Sequence, residues 1–151
     1  MSANARANQR RQPSIVPSFV LNTHIFLYRL TGGVIGGKVG SRLLLLLLTN
    51  VGRKSGKTYT TPLQYLPDGE TFLVVGTNGG SPVHPQWYLN LLAHPQTTVQ
   101  VGRKIIPVTA RPADAEERPR LWALFTRFDY FAAYERKTAR EIPVVILTPT
   151  S

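Results

Sequence analysis

Residues 43–66 read LLLLLLTNVGRKSGKTYTTPLQYL, and this stretch decides the fold class of the 151-residue chain. The apolar run over residues 43–49 is typical of a strand that is buried on both faces. Residues 50–57 form a basic, glycine-containing turn, and residues 58–66 are rich in β-branched and aromatic side chains, which favours a second strand. Pro62 indicates a sheet edge or a bulge, because proline has no backbone N–H for the ladder.

Short strands and a few helices continue this pattern to the C-terminus. Strands are predicted over residues 71–76, 97–101, 104–110 and 142–147, and helices over residues 85–93 and, in two pieces, 114–137. Because most consecutive strands follow one another as hairpins, the sheet is predicted to be mainly antiparallel. The expected fold class is mainly β with peripheral helices (α+β), arranged as a small barrel.

Two segments are expected ahead of the barrel domain, which is assigned to residues 41–151. Residues 1–13 are polar and basic and predict a flexible tail. Over residues 14–31 apolar side chains recur at helical spacing, which predicts an amphipathic helix before the glycine-rich loop of residues 32–40. The apolar face suits two arrangements equally: contact with an anionic membrane surface, or packing on the barrel as a lid. Neither a secretory signal nor a membrane-spanning run is recognised.

Positive charge is concentrated in the first half of the chain. Lys and Arg total 18 against 8 Asp and Glu, a formal net charge of +10. The first acidic residue is Asp68, and nine basic residues precede it. They are Arg6, Arg10, Arg11, Arg29, Lys38, Arg42, Arg53, Lys54 and Lys57. Charge of one sign attracts an anion: nucleic acid, an anionic membrane or a polyanionic small molecule. The sequence has no cysteine, which excludes disulfides and a cysteine nucleophile.

The segment GRKSGKT at residues 52–58 is similar to a phosphate-binding P-loop but differs from one in two ways. Val51 stands where the first glycine of the motif is required, and the residues that follow predict a strand instead of a helix. A basic turn with exposed backbone N–H groups still suits a phosphate or a carboxylate. The alternative is an ordinary solvated hairpin turn.

Two further clusters carry residue types that bind flat ligands or donate protons. The glycine turn at residues 78–80 precedes a helix N-terminus at residue 85, and both present backbone N–H groups. Tyr130 and Tyr134 are neighbours on a predicted helix, and a tyrosine can donate a proton or a hydrogen bond. In both clusters the alternative is aromatic packing in the core. The three histidines lack metal-ligand spacing, so no metal site is predicted.

Five ordered blocks of the sequence resemble the deazaflavin (coenzyme F420)-dependent nitroreductase family, and in particular its quinone-reductase subgroup. The blocks are LLLTNVGRKSGKTYTTPLQY, VVGTNGG, HPQWYLNLLAHP, TVQVGRK and TAREIPV, and they fall in order within residues 42–149. The resemblance implies a largely antiparallel split β-barrel, like that of FMN-binding proteins. It also implies coenzyme F420, an 8-hydroxy-5-deazaflavin whose phosphodiester and oligoglutamate tail is a polyanion, which would explain the basic first half.

The resemblance implies a set of site residues. The basic turn is expected to hold the cofactor tail through Arg53, Lys54 and Ser55. The other expected cofactor contacts are Thr60, Thr61, Pro62, Leu63, Val75, Gly76, Thr77, Asn78, Gln86, Trp87, Tyr88, Asn90 and Phe131. Tyr134, Tyr130 and Thr77 are the expected catalytic residues, with a tyrosine stabilising or protonating the developing anion.

The implied function is that of an F420H2-dependent oxidoreductase that transfers a hydride to a quinone-like, enone or nitroaromatic acceptor. The implied location is the cytoplasm. Whether the N-terminal helix contacts the inner face of the cell membrane is left open, and so is the oligomeric state. No nucleic-acid partner is expected. The residues alone leave two alternatives: a basic barrel that binds single-stranded nucleic acid, and a split barrel that binds FMN.

Overall fold

The computed structural model describes residues 38–39 and 43–150, which contain seven strands, three α-helices and one 3₁₀-helix. The strands are β1 (Lys38–Val39), β2 (Leu43–Val51), β3 (Thr58–Asp68), β4 (Thr71–Val75), β5 (Gln96–Val101), β6 (Lys104–Pro112) and β7 (Val144–Pro149). The helices are α1 (Gln86–Ala93), α2 (Arg118–Phe125), α3 (Asp129–Lys137) and the 3₁₀-helix Asn78–Gly80. Within this part of the chain, no helix has the length and apolarity to cross a membrane. The tail and helix predicted before residue 32 lie outside the described residues.

The strands form one antiparallel sheet that closes on itself. Their order across the sheet is β1, β2, β3, β4, β7, β6 and β5. β5 then pairs back onto β2, with Leu47 opposite Gln100 and Leu48 opposite Val99. Six strands therefore make a barrel, and β1 extends the edge of β2 that β5 also uses. The predicted fold class, a largely antiparallel split barrel with peripheral helices, is confirmed.

The leucine run of β2 faces both sides of the sheet. Leu46 and Leu48 lie in the barrel interior with no exposed surface. Leu45 and Leu47 form a separate buried pair on the outer face. Successive side chains of a strand point to opposite faces, so a strand with two covered faces needs an unbroken apolar run. The predicted burial of this strand on both faces is confirmed.

A second hydrophobic core lies outside the barrel, where α2 and α3 pack against β4 and β7. Phe125 of α2 is fully buried, and its ring meets that of Phe131 on α3 edge to face, with centroids 5.3 Å apart. Leu73 and Ile146 contribute the outward faces of the two strands. This cluster fixes α3 beside the barrel and so determines where the tyrosines of α3 lie.

The helical region near the C-terminus starts later than predicted. The sequence favours helix from residue 114, whereas α2 begins at Arg118. Asp114 accepts hydrogen bonds from the backbone N–H groups of Glu116 and Glu117, at 3.0 and 2.8 Å, and so holds a turn ahead of the helix. The predicted division into two helices is confirmed.

Two strand predictions need correction. The loop predicted over residues 32–40 contains β1, because its two residues pair with the start of β2. β7 begins at Val144 instead of at residue 142, because Pro143 has no N–H to donate to a ladder. The ladder between β4 and β7 ends in a bond from Gly76 N–H to the Pro143 carbonyl, 3.0 Å long.

Pro62 lies within β3, opposite Leu47 of β2. β4 pairs with β3 only from Leu66 to Asp68, so this part of β3 has β2 as its neighbour on one side. The predicted position of Pro62 at a sheet edge is therefore confirmed.

Candidate active site

A chain of hydrogen-bonded side chains links β2, β3 and α1 at one end of the barrel. Asn50 Nδ2 donates to Thr61 Oγ1 (3.2 Å), and Asn90 Nδ2 donates to Asn50 Oδ1 (2.9 Å). Asn90 Oδ1 accepts two bonds from Arg53, one from the backbone N–H (3.1 Å) and one from Nη1 (3.0 Å). The same Nη1 donates to Gln86 Oε1 (2.9 Å). The Arg53 guanidinium is thus held by neutral side chains. Asn90, Asn50 and Thr61, which are bonded in series behind it, are here called the relay.

The two asparagines of this chain are buried. Asn50 is 2% and Asn90 is 4% exposed, and they are the buried polar side chains among the residues the structure describes. A buried amide that lacks its partners costs about 1–3 kcal/mol, so this pair is tolerated because each amide is bonded. Of the three guanidinium nitrogens of Arg53, only Nη1 takes part in these bonds within the described part of the chain, which leaves Nε and Nη2 for an anion.

The turn between β2 and β3 is closed by its own backbone. Gly52 N–H donates to the Lys57 carbonyl (2.7 Å), and Gly56 N–H donates to the Gly52 carbonyl (2.8 Å). Gly56 has φ +70°, where glycine is favoured. A Cβ on Gly52 would lie 2.5 Å from Ser55 Oγ, so a larger residue would displace that side chain. The turn therefore carries its basic side chains on a fixed backbone.

These elements border a cleft of about 390 Å³. Its lining residues are Gly52, Arg53, Lys54, Ser55, Tyr59, Thr61, Gln86 and Asn90. Two of them are cations and none is acidic, which suits an anionic ligand. Sequence reasoning included Gly52 only as part of the basic turn and did not identify Tyr59. The contact between Ser55 Oγ and Tyr59 OH (3.4 Å) becomes visible only once the turn is folded.

A second region brings together predicted residues from the segment after β4 and from α3. Thr77 directly precedes the 3₁₀-helix, whose first residue, Asn78, has φ +45°. A Cβ on Gly80 would lie 3.4 Å from the Tyr134 carbonyl, so α3 packs closely on this segment. Tyr130 OH donates to Gln64 Oε1 on β3 (3.2 Å). The tyrosines of α3 therefore lie between the segment after β4 and the strand β3.

Two connections join this second region to the cleft. Gln64 lies three residues beyond Thr61 on the same strand. A Cβ on Gly76 would lie 3.5 Å from Pro85 Cδ, and Pro85 immediately precedes Gln86 of the cleft. The cleft and the tyrosine region are therefore joined by β3, with Thr61 on its inner face and Gln64 on its outer face, and by the contact at the start of α1.

Several predicted contact residues lie away from the cleft. Trp87 is 8% exposed in the barrel core, and Tyr88 packs against that core with its ring 4.9 Å from the ring of His84. Val75 and Phe131 are buried in the outer cluster of α2 and α3. These side chains support the walls of the site through packing.

The remaining predicted contacts flank Thr61 on β3. Leu63 packs against the barrel interior. Because side chains alternate along a strand, Thr60 and Pro62 belong to the opposite, outer face, as does Gln64. The outer face of β3 therefore leads from the turn toward Tyr130.

Burial raises the pKa of the Tyr130 hydroxyl above its ordinary value; the bond to Gln64 works against this shift and Tyr134 adds to it. Tyr130 is therefore protonated at neutral pH and acts as a donor. No group of three or more His, Asp or Glu side chains that could hold a metal occurs among residues 38–39 and 43–150.

A family model described as F420H(2)-dependent quinone reductase matches residues 20–149. The chain belongs to this family. A curated relative, an F420H(2)-dependent quinone reductase of Mycobacterium tuberculosis strain H37Rv, is 38% identical over 133 residues, which cover 85% of this chain and 89% of the relative.

Two solved structures share both fold and sequence with this member of the quinone reductase family. One, described as an F420-H2 dependent reductase (FDR-A), is 39% identical with a TM-score of 0.63 and covers 72% of this chain and 99% of its own. Another, described as a domain-swapped dimer, is 34% identical with a TM-score of 0.65 and covers 86% of this chain and 97% of its own.

The predicted family, enzyme class and cofactor are confirmed: the protein is an F420H2-dependent oxidoreductase of the quinone reductase family. The residues present fit the cofactor, whose tail is a polyanion. The cleft offers the cations Arg53 and Lys54, the hydroxyl of Ser55 and a guanidinium with N–H groups to spare.

Proposed function

We propose that the cleft beside the 52–57 turn binds the anionic tail of F420H2, and that the region of Thr77, Tyr130 and Tyr134 borders the deazaflavin ring and a quinone acceptor. The observation that carries this proposal is the buried relay through Asn50 and Asn90, which fixes the Arg53 guanidinium at a cleft of about 390 Å³. Apolar side chains could fill the positions of Asn50 and Asn90 without needing hydrogen-bond partners. The presence of two amides there is therefore explained by their role in holding the Arg53 guanidinium at the cleft.

The ring is assigned to the outer face of β3 and to the segment after β4. Thr60 and Pro62 continue along the outer face of β3, while Leu63 packs in the barrel interior behind them. The backbone from Val75 to Asn78 is assigned to the polar edge of the ring.

When bound, F420H2 supplies a hydride to the electron-poor acceptor. Arg53 and Lys54 orient the cofactor by binding its tail, and the site's remaining work is alignment and shielding from water. Tyr130 OH, which donates to Gln64 Oε1 in this structure, turns to donate to the acceptor oxygen as negative charge develops there. Tyr134 and Thr77 are assigned supporting hydroxyl contacts.

Titration of the protein with oxidised F420 and with the same deazaflavin lacking the phosphodiester and glutamates tests this assignment. The double variant Arg53→Ala/Lys54→Ala is expected to bind F420 at least about tenfold more weakly, since a hydrogen bond to a charged group contributes about 1.5–3 kcal/mol. Its affinity for the tail-less compound is expected to stay close to that of the wild type. Raising the salt concentration should weaken binding of F420 only.

The chain supplies a matched control in its second Gly-Arg-Lys turn. Arg103→Ala/Lys104→Ala removes the same charge from the turn between β5 and β6, which lies at the opposite end of β2 from the cleft. This variant should bind F420 normally. An equal loss in both double variants would mean that net charge, and not the cleft, attracts the cofactor; tight binding of FMN or single-stranded DNA in place of F420 would overturn the proposal.

The cytoplasmic location and the membrane contact of residues 14–31 stay predictions. Flotation with anionic and with neutral lipid vesicles, compared between the full chain and one lacking residues 1–31, tests the membrane contact. Loss of anionic-vesicle binding on truncation would support the membrane contact, and absence of binding in both chains would support packing on the barrel.

A further inference from the structure

The segment TAREIPV at residues 138–144 runs from the end of α3 into β7. It is hydrogen-bonded to residues 76–84, here called the post-β4 segment. Three N–H groups of Arg140 reach it. Nη2 donates to the Thr77 carbonyl (2.9 Å), Nε donates to the Ser81 carbonyl (3.0 Å), and Nη1 lies 3.1 Å from His84 Nδ1. One planar guanidinium thereby fixes both ends of the post-β4 segment relative to each other.

Pro143 adds a second attachment. Its carbonyl accepts the N–H of Gly76 at 3.0 Å, and a Cβ on Gly76 would lie 2.9 Å from Pro143 Cγ. The first residue of the post-β4 segment is therefore held against residues 138–144 so closely that only glycine fits without a shift.

The conformation of the post-β4 segment needs this support. Asn78, Gly79 and Gly80 have consecutive positive φ angles of 45°, 64° and 78°. A non-glycine residue such as Asn78 occupies that region only where its surroundings enforce it. Its own side chain helps, since Nδ2 donates to the Val83 carbonyl at 3.1 Å.

We propose that residues 138–144 form a strap and that Arg140 is a positioning residue, which sets the conformation in which Thr77 and Asn78 meet the deazaflavin ring. The inference rests on the proposed function, in which the post-β4 segment borders the ring. Arg140 acts through Thr77, Ser81 and His84 and needs no contact with the cofactor. A lysine cannot replace it, because one ammonium cannot reach three acceptors in the geometry of a planar fork.

His84 has a defined state in this arrangement. Arg140 carries only donors, so the Nδ1 atom of His84 must be the acceptor and the ring must be neutral. An asparagine at position 84 would offer an amide oxygen at a similar distance from the backbone. His84→Asn is therefore expected to preserve the strap, whereas His84→Ala removes one of its three attachments.

Hydrogen exchange of the protein without cofactor measures the strap directly. In Arg140→Lys the amides of Gly80 and Ser81, which donate within the post-β4 segment, should exchange at least about tenfold faster, while the amides of β2 and β3 keep their protection. Arg118→Lys is the matched control, since Arg118 also donates to a backbone carbonyl of the strap, that of Ile142 (2.7 Å), from the α2 side.

Titration supplies the second readout. Arg140→Lys should bind both F420 and its tail-less form about tenfold more weakly, because the strap acts on the ring region. In the Arg53→Ala/Lys54→Ala variant, by contrast, only the affinity for F420 should fall. If Arg140→Lys unfolds before it can be assayed, the two substitutions of His84 provide the test. His84→Ala should bind both ligands more weakly, and His84→Asn should bind them as the wild type does.

Unchanged exchange and affinity in Arg140→Lys, or an equal loss in Arg118→Lys, would overturn the assignment to Arg140. Failure of the wild type to bind F420 would instead contradict the proposed function. The exchange experiment distinguishes the two, because it requires no ligand.

Discussion

Asn90 connects the packing of the barrel to the basic cleft proposed to bind an anion. Its carbonyl oxygen accepts two bonds from Arg53, and its amide nitrogen donates to Asn50, so each polar atom of the side chain is engaged. If the cleft binds the cofactor tail as proposed, this side chain holds Arg53 in place before the ligand arrives, which lowers the entropy cost of binding.

Replacing this residue should affect stability and affinity together. Asn90→Ala leaves the buried Asn50 amide without its partner, so the free energy of unfolding in urea is expected to fall by about 1–3 kcal/mol. Arg53 loses its anchor, and F420 should bind more weakly by titration.

The exposed Gln86 is the control for that prediction, because it also bonds Arg53 Nη1. Gln86→Ala should change the free energy of unfolding by less than about 0.5 kcal/mol. Equal destabilisation by the two substitutions would contradict the role assigned to the buried amides.

Acid should loosen the post-β4 segment through His84. Burial first, and then the charge of Arg140, lower the pKa of His84 below its ordinary value of 6.5. The two titratable side chains seen to contact the His84 ring in the described residues are Arg140 and Tyr88. A lowered pKa means that the unfolded chain takes up the proton first. The contribution of His84 to stability is therefore complete above pH 6.5 and is lost as the pH falls below that value.

Melting temperatures of the wild type and of His84→Asn, recorded between about pH 8 and pH 5, measure this effect, since histidine is the side chain that titrates in that range. The wild type should lose more stability on acidification than the variant. Parallel curves would show that His84 does not titrate against Arg140.

Part of the candidate site could be predicted from single residues and part could not. Arg53 and Lys54 stand out because they are neighbouring cations in a half of the chain that has no acid. Asn50 gives no such signal, because its partner is 40 residues away and reaches it only after the barrel has formed. Trp87 is an expected cofactor contact through the family resemblance alone, whereas its burial in the core depends on the orientation of α1.

At the scale of elements, α3 brings two tyrosines to the strand β3. The rings of Tyr130 and Tyr134 lie 6.3 Å apart, and both belong to a helix fixed from behind by the outer core. A helix held in this way can present a hydroxyl at a constant position while the cofactor and the acceptor exchange.

The double variant Tyr130→Phe/Tyr134→Phe should therefore retain F420 affinity but lose turnover with a quinone. A group that assists proton transfer or stabilises developing charge contributes about 10²–10³-fold, so kcat should fall by about that factor. Gln64→Leu is the control: it removes the partner of Tyr130 in this structure and keeps both hydroxyls. Unchanged turnover in the double variant would remove the tyrosines from the mechanism.

The strands could be predicted more completely than their arrangement. Runs such as residues 43–49 and 71–76 reveal a strand locally, because burial on two faces requires continuous apolar sequence. The position of β7 between β4 and β6 has no local signal, since its pairing residues come from distant parts of the chain. Pro143 sets the start of β7 because it has no N–H to donate, and this effect can be predicted only once the partner strand is known.

At the scale of the whole molecule, the barrel depends on its last strand. β7 pairs with β4 through Val144–Leu147 and with β6 through Val145–Pro149, and it contributes to both hydrophobic cores. Removing it would expose the edges of two strands and part of each core.

A chain that ends before residue 144 is accordingly expected to aggregate, because unpaired strand edges associate with one another. The soluble fraction after expression measures this outcome. A chain that lacks only residues 150–151 should remain soluble, as it keeps every pairing residue of β7. Good solubility of the shorter chain would mean that β4 and β6 can pair without β7.

The closure of the barrel by its final strand also bears on biosynthesis. While a ribosome is translating this chain, the most recently added residues are enclosed in the exit tunnel, so β7 emerges later than the strands β4 and β6 that it joins. Until β7 pairs with them, β4 and β6 lack the strand that lies between them, and the nascent chain resembles an open sheet with exposed edges. Closure of the barrel therefore waits for β7, and the interval before β7 pairs is when a chaperone would be needed most.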